Sequence, residues 1–310
     1  MLHLISLKDW SADTITEVLN LADEVKKEPG RFADAMRRKT LLMFFEKPSL
    51  RTRVSFETAM CQMGGHAIYY DTSNSPVGSG KESIHDTVKT VSRYVDIIMA
   101  RLFEHDKIEE MARYATVPVI NALTNFSHPC QILADLMTAR EKKGALKGLK
   151  LAYLGDSNNN VTNSLLFGCA KTGINISVGC PPGKAYSPTG DVLRAAGKMA
   201  EKNGSTITIT NDPAEAVRAA DIVYTDSWMS YHIPPHEMNA RVAAFTPYQV
   251  NAALMKHAKP DAIFMHCLPA LRGYEQTAEV IDGPQSVVFD EAENRLHVQK
   301  AVMLKLMMNQ

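Results

Sequence analysis

Residues 40–70 have the sequence TLLMFFEKPSLRTRVSFETAMCQMGGHAIYY. The short apolar run at residues 40–45 is typical of a buried strand. The spacing over residues 49–63 predicts a helix, with Ser49 as its N-cap and glycines at its end. Residues 67–70 predict a second strand. Because a strand, a helix and a second strand in succession build a parallel sheet, this stretch indicates an α/β fold.

The alternation of strands and helices continues on both sides of this stretch. Further helices are predicted over residues 11–27, 82–94, 108–114, 129–143, 162–172, 191–203, 213–219 and 291–308, and further strands over residues 95–101, 118–122, 149–154, 176–179, 206–210, 221–225 and 262–266. A chain of 310 residues is long enough for two domains. We therefore expect an α/β fold of two domains, each a parallel sheet flanked by helices, joined near residues 142–150.

Composition excludes several classes of function. Lys and Arg together number 34, as do Asp and Glu, so the chain offers no basic surface for nucleic acid or membrane lipid. The five cysteines form no C-x-x-C pair, which argues against a disulfide framework or zinc knuckle and favours a reducing cytoplasm. Apolar runs are too short to cross a bilayer, and no secretory signal is expected.

The turn after the first predicted strand concentrates positive charge. Arg51 and Arg53 follow Ser49 within the first helical turn. Because the helix dipole disfavours cations at this end, the arrangement calls for an anion. Free backbone N–H groups, hydroxyls and guanidinium groups together suit a phosphate. The alternative is a solvated basic turn paired with Glu46 or Glu57.

Polar side chains also follow other predicted strands. His128 and Gln131 can donate to a carbonyl oxygen and accept from an amide, although a lone histidine is often structural. The asparagine-rich turn at residues 155–160 offers amides to a polar ligand, or is a plain turn, and it lacks the G-x-G-x-x-G pattern of dinucleotide sites. Asp226 follows the strand at 221–225 and suits a cationic amine.

A cysteine next to a histidine, His266-Cys267, suggests a cysteine nucleophile. Adjacent residues of a strand point to opposite faces, however, so His266 is not expected to act as the base for Cys267. Nucleophilic catalysis is therefore disfavoured.

Three segments resemble the signatures of the aspartate/ornithine carbamoyltransferase family. They are FEKPSLRTR at residues 45–53, HPCQ at residues 128–131 and HCLP at residues 266–269, in the order that the family has them. Lys47, Cys267 and the stretch 282–300 are similar to the ornithine branch. The resemblance covers essentially the whole chain.

The resemblance implies an enzyme that transfers the carbamoyl group of carbamoyl phosphate to the side-chain amine of L-ornithine, giving L-citrulline and phosphate. This reaction serves arginine biosynthesis or runs in reverse in catabolism, and it needs no metal or organic cofactor. Residues 1–143 would bind carbamoyl phosphate, completed by a C-terminal helix at 291–310 that packs back on them. Residues 144–290 would bind ornithine. A cytoplasmic homotrimer, or a multiple of trimers, with sites at subunit interfaces is the implied assembly.

The resemblance also assigns site residues by position. Those implied for carbamoyl phosphate are Ser49, Leu50, Arg51, Thr52, Arg101, His128, Gln131, Cys267, Leu268 and Arg295. Those implied for ornithine are Asn160, Asp226, Ser230 and Tyr231. The implied catalytic residues are Arg101, His128, Asp226 and Cys267.

Two segments depart from the family pattern. Ser230-Tyr231-His232 stands where ornithine enzymes usually have Ser-Met-Gly, and Val77 stands where a glutamine usually reaches the neighbouring subunit. Lys81 is a candidate substitute for that glutamine. The alternatives are therefore a carbamoyltransferase for another amine, such as putrescine or an acylated ornithine, and a non-catalytic ligand sensor. Aspartate is disfavoured as substrate because Asp226 would repel it.

Overall fold

The computed structural model describes residues 1–229 and 233–308. Its contacts divide the chain into two compact units. The first unit comprises Met1–Met137 together with the chain from Glu293 onward, and the second comprises Thr138–Ala292.

Strands and helices alternate along the described residues, as the sequence predicts. The strands are β1 (Thr40–Phe45), β2 (His66–Asp71), β3 (Ile97–Arg101), β4 (Val119–Leu123), β5 (Lys150–Leu154), β6 (Asn175–Gly179), β7 (Ile207–Thr210), β8 (Ile222–Thr225) and β9 (Ile263–Met265). The helices are α1 (Ala12–Lys27), α2 (Leu50–Gln62), α3 (Ile84–Val91), α4 (His105–Tyr114), α5 (Pro129–Lys143), α6 (Asn160–Thr172), α7 (Gly190–Asn203), α8 (Pro213–Val217), α9 (Met238–Phe245), α10 (Ala252–Met255), α11 (Ala278–Ile281) and α12 (Val288–Met307).

The sheet of the first unit has the strand order β2-β1-β3-β4, and all its strands are parallel. Its central strands are continuous apolar runs because helices cover both faces of such a sheet. From β1 the chain proceeds to β2 on one side and later to β3 on the other. The order of strands therefore reverses between β1 and β3, where Phe45 is level with Arg101. In open parallel sheets, ligands bind at such a reversal, beyond the carboxyl ends of the strands.

The sheet of the second unit has the order β7-β6-β5-β8-β9, again with all strands parallel. Its order reverses between β5 and β8. The polar turn at residues 155–160 follows β5, and Asp226 follows β8. The second unit therefore also has polar side chains where a ligand is expected.

The C-terminal helix α12 packs against the first domain, which confirms the expectation from the resemblance. Its residues Val298, Ala301 and Val302 are fully buried. The Lys26 ammonium on α1 donates to Asn294 Oδ1 at 2.8 Å. Among the described residues, no helix combines the length and apolar character needed to cross a membrane.

Some element bounds differ from the sequence prediction. The helix predicted over 82–94 spans only Ile84–Val91. Ser83 sets its start by accepting from the Asp86 N–H. The strand predicted over 262–266 ends at Met265, so His266 and Cys267 lie in the loop that follows β9. The helices α9, α10 and α11 were not predicted, since segments of four to eight residues are too short to show a helical period.

Candidate active site

The first turn of α2 forms one wall of the polar cluster in the first unit. The Ser49 hydroxyl accepts from the Thr52 N–H at 3.3 Å, which confirms Ser49 as the N-cap. This turn contains no acidic residue. Arg53 Nε lies 2.9 Å from Glu57 Oε1. For Arg53, the alternative interpretation of a solvated basic side chain paired with Glu57 therefore holds. No carboxylate of the described residues forms a salt bridge with Arg51, which leaves its guanidinium charge for an anion.

Arg295 on α12 joins three segments of the first unit. Its Nη1 donates to Gln131 Oε1 at 2.7 Å, and its Nη2 donates to Thr52 Oγ1 at 3.4 Å. The Gln131 amide in turn donates to Asp135 Oδ1 at 2.8 Å. The structure therefore brings Thr52, Gln131 and Arg295 together. They come from α2, α5 and α12, which are far apart in the sequence.

Arg101 and His128 are buried beside this cluster, with 5% and 6% of their surface exposed. Burial lowers the pKa of His128 well below its usual value, and the positive charges of Arg295, Arg101, Lys47 and Arg51 add to the effect. The imidazole is therefore neutral near pH 7. A neutral imidazole has one N–H with which to donate to an oxygen.

Asp226 and Cys267 meet in the second unit. The Cys267 thiol donates to Asp226 Oδ1 at 3.1 Å. Burial raises the pKa of the Asp226 carboxyl, and nearby Glu275 adds to the rise, whereas His266, the thiol and the Ser227 N–H oppose it. A desolvated carboxylate without a cation pairs favourably with an ammonium group.

Contacts within the loop after β9 occupy both ring nitrogens of His266. The Leu268 N–H donates to Nδ1 at 2.8 Å, so the proton of a neutral ring lies on Nε2, which faces Glu275 Oε1 at 3.3 Å. His266 therefore is not the base of Cys267. This agrees with the sequence analysis, although the reason is the loop network and not opposite strand faces.

One group of side chains has the chemistry of a metal site. The potential ligand atoms of Asp226, His266 and Cys267 lie within 4.8 Å of one another. Nitrogen, sulfur and carboxylate ligands of this kind suit Zn²⁺. Both nitrogens of His266 already have partners in the chain, so metal binding would have to displace the Leu268 N–H or Glu275.

Two residues of the asparagine-rich turn have structural roles. Asn159 caps α6 by accepting from the Thr162 N–H at 2.8 Å. Asp156 forms a buried ion pair with Arg241 of α9. Asn160 is the half-buried first residue of α6 and lies at the carboxyl end of β5, where a ligand is expected. A purely structural role in the turn therefore accounts for Asp156 and Asn159, whereas Asn160 remains a candidate for ligand binding.

Two predicted ornithine-binding residues, Ser230 and Tyr231, lie outside the described residues, as does His232. The residue Trp228, just before them, is buried, and its carbonyl accepts from Arg241 Nε at 2.7 Å. Arg241 therefore fixes the described start of the loop in which the sequence departs from the family.

Several supporting residues were not found from the sequence. Glu275 contacts His266, nine positions away, and Arg241 pairs with Asp156, 85 positions away. No local sequence pattern indicates pairs so far apart. Asp135 does have a signal, because it lies four residues after Gln131 and so shares its helix face. Lys47 was noted only as a mark of the ornithine branch, but it is buried within the cationic cluster of the first unit.

Comparisons with known proteins agree with this geometry. The family model "Aspartate/ornithine carbamoyltransferase, carbamoyl-P binding domain" matches residues 2–141, and the corresponding "Asp/Orn binding domain" model matches residues 147–306. Ornithine carbamoyltransferase of Bacillus subtilis is 51% identical over 300 residues, which cover 97% of this chain and 92% of that protein. The enzyme of that name from Methanothermobacter thermautotrophicus is 52% identical over 308 residues, which cover 99% of each protein.

A solved structure has the same fold. Ornithine carbamoyltransferase from Pyrococcus furiosus superposes with a TM-score of 0.94 at 48% identity, covering 99% of this chain and 97% of that one. The two family models together, and each of the two relatives alone, extend over nearly the full length of the chain. The chain belongs to the aspartate/ornithine carbamoyltransferase family.

Proposed function

We propose that this protein transfers the carbamoyl group of carbamoyl phosphate to the side-chain amine of L-ornithine, giving L-citrulline and phosphate for arginine biosynthesis. The observation that carries the proposal is identity of about half of all residues, over nearly the full length, with relatives named ornithine carbamoyltransferase. One relative, from Pyrococcus furiosus, is named anabolic.

Residues 1–143, completed by 291–310, bind carbamoyl phosphate in this proposal. Ser49, Thr52, Arg51 and the backbone at Leu50 hold the phosphate at the start of α2, where free N–H groups and the helix dipole favour an anion. Arg295 joins them from α12, and its bond to Gln131 orients that amide toward the carbamoyl NH₂. Arg51 supplies charge that no carboxylate of the described residues neutralises by a salt bridge.

Arg101 and His128 act on the carbamoyl oxygen. When the amine attacks the carbamoyl carbon, negative charge develops on that oxygen, and the bond to the phosphate oxygen then breaks. A buried guanidinium and a neutral imidazole N–H stabilise this charge, and they need no reorganisation because burial holds them in place. The negative charge then passes to the leaving phosphate, where Arg51 and the start of α2 stabilise it.

Residues 144–290 bind ornithine in this proposal. The Asp226 carboxylate, with Cys267 beside it, receives the side-chain ammonium and assists loss of the proton that the amine must give up before it attacks. The assignment of Cys267 and Leu268 to carbamoyl phosphate rests on the resemblance alone. Asn160 and Ser230 hold the α-amino and carboxylate end, and Tyr231 borders them.

The test is an assay of ureido product with carbamoyl phosphate and a panel of amines: ornithine, putrescine, an acylated ornithine and aspartate. We expect ornithine to have the highest kcat/KM. Putrescine lacks the amino-acid end, and unpaired polar groups in a site cost orders of magnitude in specificity. A higher kcat/KM for putrescine, or no product with any amine, would contradict the proposal.

We also propose a cytoplasmic homotrimer. The cysteines of the described chain are free, as in a reducing compartment. Val54 on α2 and Ile68 on the edge strand β2 are exposed apolar residues of the first unit, which suit contact with a second copy. Lys81 is exposed and so is available to reach a neighbouring subunit.

A further inference from the structure

Asp135 is a buried acid on α5, with only 2% of its surface exposed. Aspartate is almost never fully buried in proteins unless it has a partner. Asp135 Oδ1 accepts a hydrogen bond from the side-chain amide of Gln131 at 2.8 Å, one helical turn earlier. Gln131 is one of the residues proposed to bind the carbamoyl group, so Asp135 contacts a binding residue.

The partners of the Gln131 amide determine which way round it stands. A glutamine amide has an accepting end and a donating end of nearly the same shape. The guanidinium of Arg295 can only donate, so the Gln131 atom 2.7 Å from its Nη1 is the oxygen. The NH₂ end then meets the Asp135 carboxylate. Turning the amide over would place its NH₂ against a guanidinium and its oxygen against a carboxylate, so the two charged partners favour one orientation.

This orientation suits a ligand that donates from an NH₂ group. An amide oxygen has two lone pairs, so Gln131 Oε1 can accept from Arg295 and from a ligand N–H together. The bond to Asp135 strengthens this oxygen as an acceptor, because a charged partner polarises the amide and hydrogen bonds in a chain reinforce one another. Contacts at both ends also hold a flexible side chain in place before the ligand binds, which reduces the entropy lost on binding.

We propose that Asp135 is a positioning residue that makes the site selective for the carbamoyl NH₂, because it holds the Gln131 amide with its oxygen available to that group. The selection is against ligands of the same shape that have a methyl group in place of the NH₂, such as an acyl phosphate. This inference rests on the proposed function, because it takes the ligand to be carbamoyl phosphate.

The test uses two stable ligands that differ only in the group that Gln131 is proposed to recognise. Phosphonoacetamide has the carbamoyl NH₂, and acetonylphosphonate has a methyl group there. In both ligands a CH₂ group replaces the bridging oxygen of carbamoyl phosphate, so neither can be turned over. Calorimetry gives a dissociation constant for each ligand. The ratio of the two constants measures recognition of the NH₂ separately from recognition of the phosphonate.

Three variants are compared with wild type. Asp135→Leu removes the acceptor, and Asp135→Asn keeps an oxygen at the same place without the charge. Asp96→Leu is the matched control, because Asp96 is a half-buried aspartate of the same unit that accepts from the Thr40 N–H at 2.9 Å. Thr40 is the first residue of β1, so this contact lies at the end of the strand away from the ligand edge.

We expect wild type to bind phosphonoacetamide about tenfold or more tightly than acetonylphosphonate, because a methyl group leaves the Gln131 oxygen without its donor. Asp135→Leu should weaken phosphonoacetamide by about tenfold and acetonylphosphonate by less than about twofold, so that the ratio falls toward one. Asp135→Asn should lose about threefold of the ratio, since a neutral acceptor binds the amide less strongly. KM for carbamoyl phosphate should rise in parallel with the constant for phosphonoacetamide. Asp96→Leu should leave the ratio unchanged.

A purely structural role for Asp135 predicts a different result. If Asp135→Leu weakened both ligands equally, or lowered Tm with an unchanged ratio, the inference would be overturned. Should Asp135→Leu not fold, Asp135→Asn decides, and a ratio equal to that of wild type would overturn the inference. A wild-type ratio near one would also overturn it. If the ratio depended on Asp135 but wild type made no citrulline, the proposed function would fail while the role of Asp135 in recognising the NH₂ would stand.

Discussion

His128 shows how the surroundings of one residue set its chemistry. Four cationic side chains and nearly complete burial keep its imidazole neutral, and a neutral ring is an N–H donor that needs no change of charge to assist the reaction. The same surroundings have a cost for stability. The pKa of His128 is lower in the folded protein than in the unfolded chain, so the unfolded chain takes up a proton first as the pH falls.

Replacing His128 should therefore change activity and acid stability in opposite directions. We expect His128→Leu, which has no side-chain donor, to lower kcat by about 100-fold or more, the usual effect of removing one donor to a developing oxyanion. Its stability should fall less steeply than that of wild type below about pH 6.5, where each pH unit contributes up to about 1.4 kcal/mol. Chemical denaturation at several pH values measures this difference. Equal slopes in the two proteins would contradict a depressed pKa at His128.

Cys267 and Cys130 should differ in reactivity. The Cys267 thiol is half-buried and contacts Asp226, whereas Cys130 is fully buried and burial raises its pKa to about 12. We expect a thiol reagent at pH 8 to modify exposed Cys61 first and Cys267 next, with Cys130 protected until unfolding. Peptide mass spectrometry with and without both substrates gives the order of modification.

Cys267→Ser should keep substantial activity, because Cys267 is assigned no covalent role. A carbamoylated Cys267 would disprove this non-covalent assignment.

Helix α2 is the element that both stabilises the first unit and presents the proposed phosphate site. Its N-cap contributes to both roles, because the Ser49 hydroxyl caps the helix and is assigned to the phosphate. Ser11 caps α1 in the same way, accepting from the Thr14 N–H at 3.0 Å, but it has no assigned role in the reaction. The two serines therefore separate capping from binding.

We expect Ser49→Ala and Ser11→Ala to lower the free energy of unfolding similarly, by about 1 kcal/mol each. Only Ser49→Ala should also raise KM for carbamoyl phosphate, because it removes a hydroxyl from the anion site. Urea denaturation and steady-state kinetics on both variants measure the two effects. A similar rise in KM for both variants would mean that the change reflects lost stability and not a lost contact.

The elements also show what the sequence can reveal. Local signals predicted α5 at its observed bounds and the cap at Ser49, because the helical period and capping chemistry act over a few residues. The order of strands in the sheets depends on distant pairing. Arg241 with Asp156 and Glu275 with His266 were missed for the same reason, since each pair meets only after the chain has folded. The resemblance identified Arg295 as a site residue, but its bond to Gln131 became visible only in the structure.

At the scale of the whole molecule, the first unit depends on a helix from the far end of the chain. Residues from Glu293 onward belong to it, including Arg295 and the buried apolar side chains of α12. The unit that holds the candidate phosphate site is therefore complete only when the whole chain has been made. The net charge of zero offers no long-range repulsion against association of several copies.

Association should depend on the exposed apolar residues of the first unit. Val54 and Ile68 are 49% and 40% exposed, and a charge at either position would have to be desolvated in an interface. We expect light scattering to give wild type a mass of three times the 34.3 kDa chain, or a multiple of that. The double variant Val54→Glu, Ile68→Glu should give smaller species. Because the resemblance places the sites at subunit interfaces, the KM of the double variant for carbamoyl phosphate should rise as the trimer dissociates.

Phe289→Glu, at an exposed position of the second unit, is the control and should leave mass and kinetics unchanged. A wild-type mass equal to one chain with full activity would refute the trimer, and a double variant that remains trimeric would place the interface elsewhere.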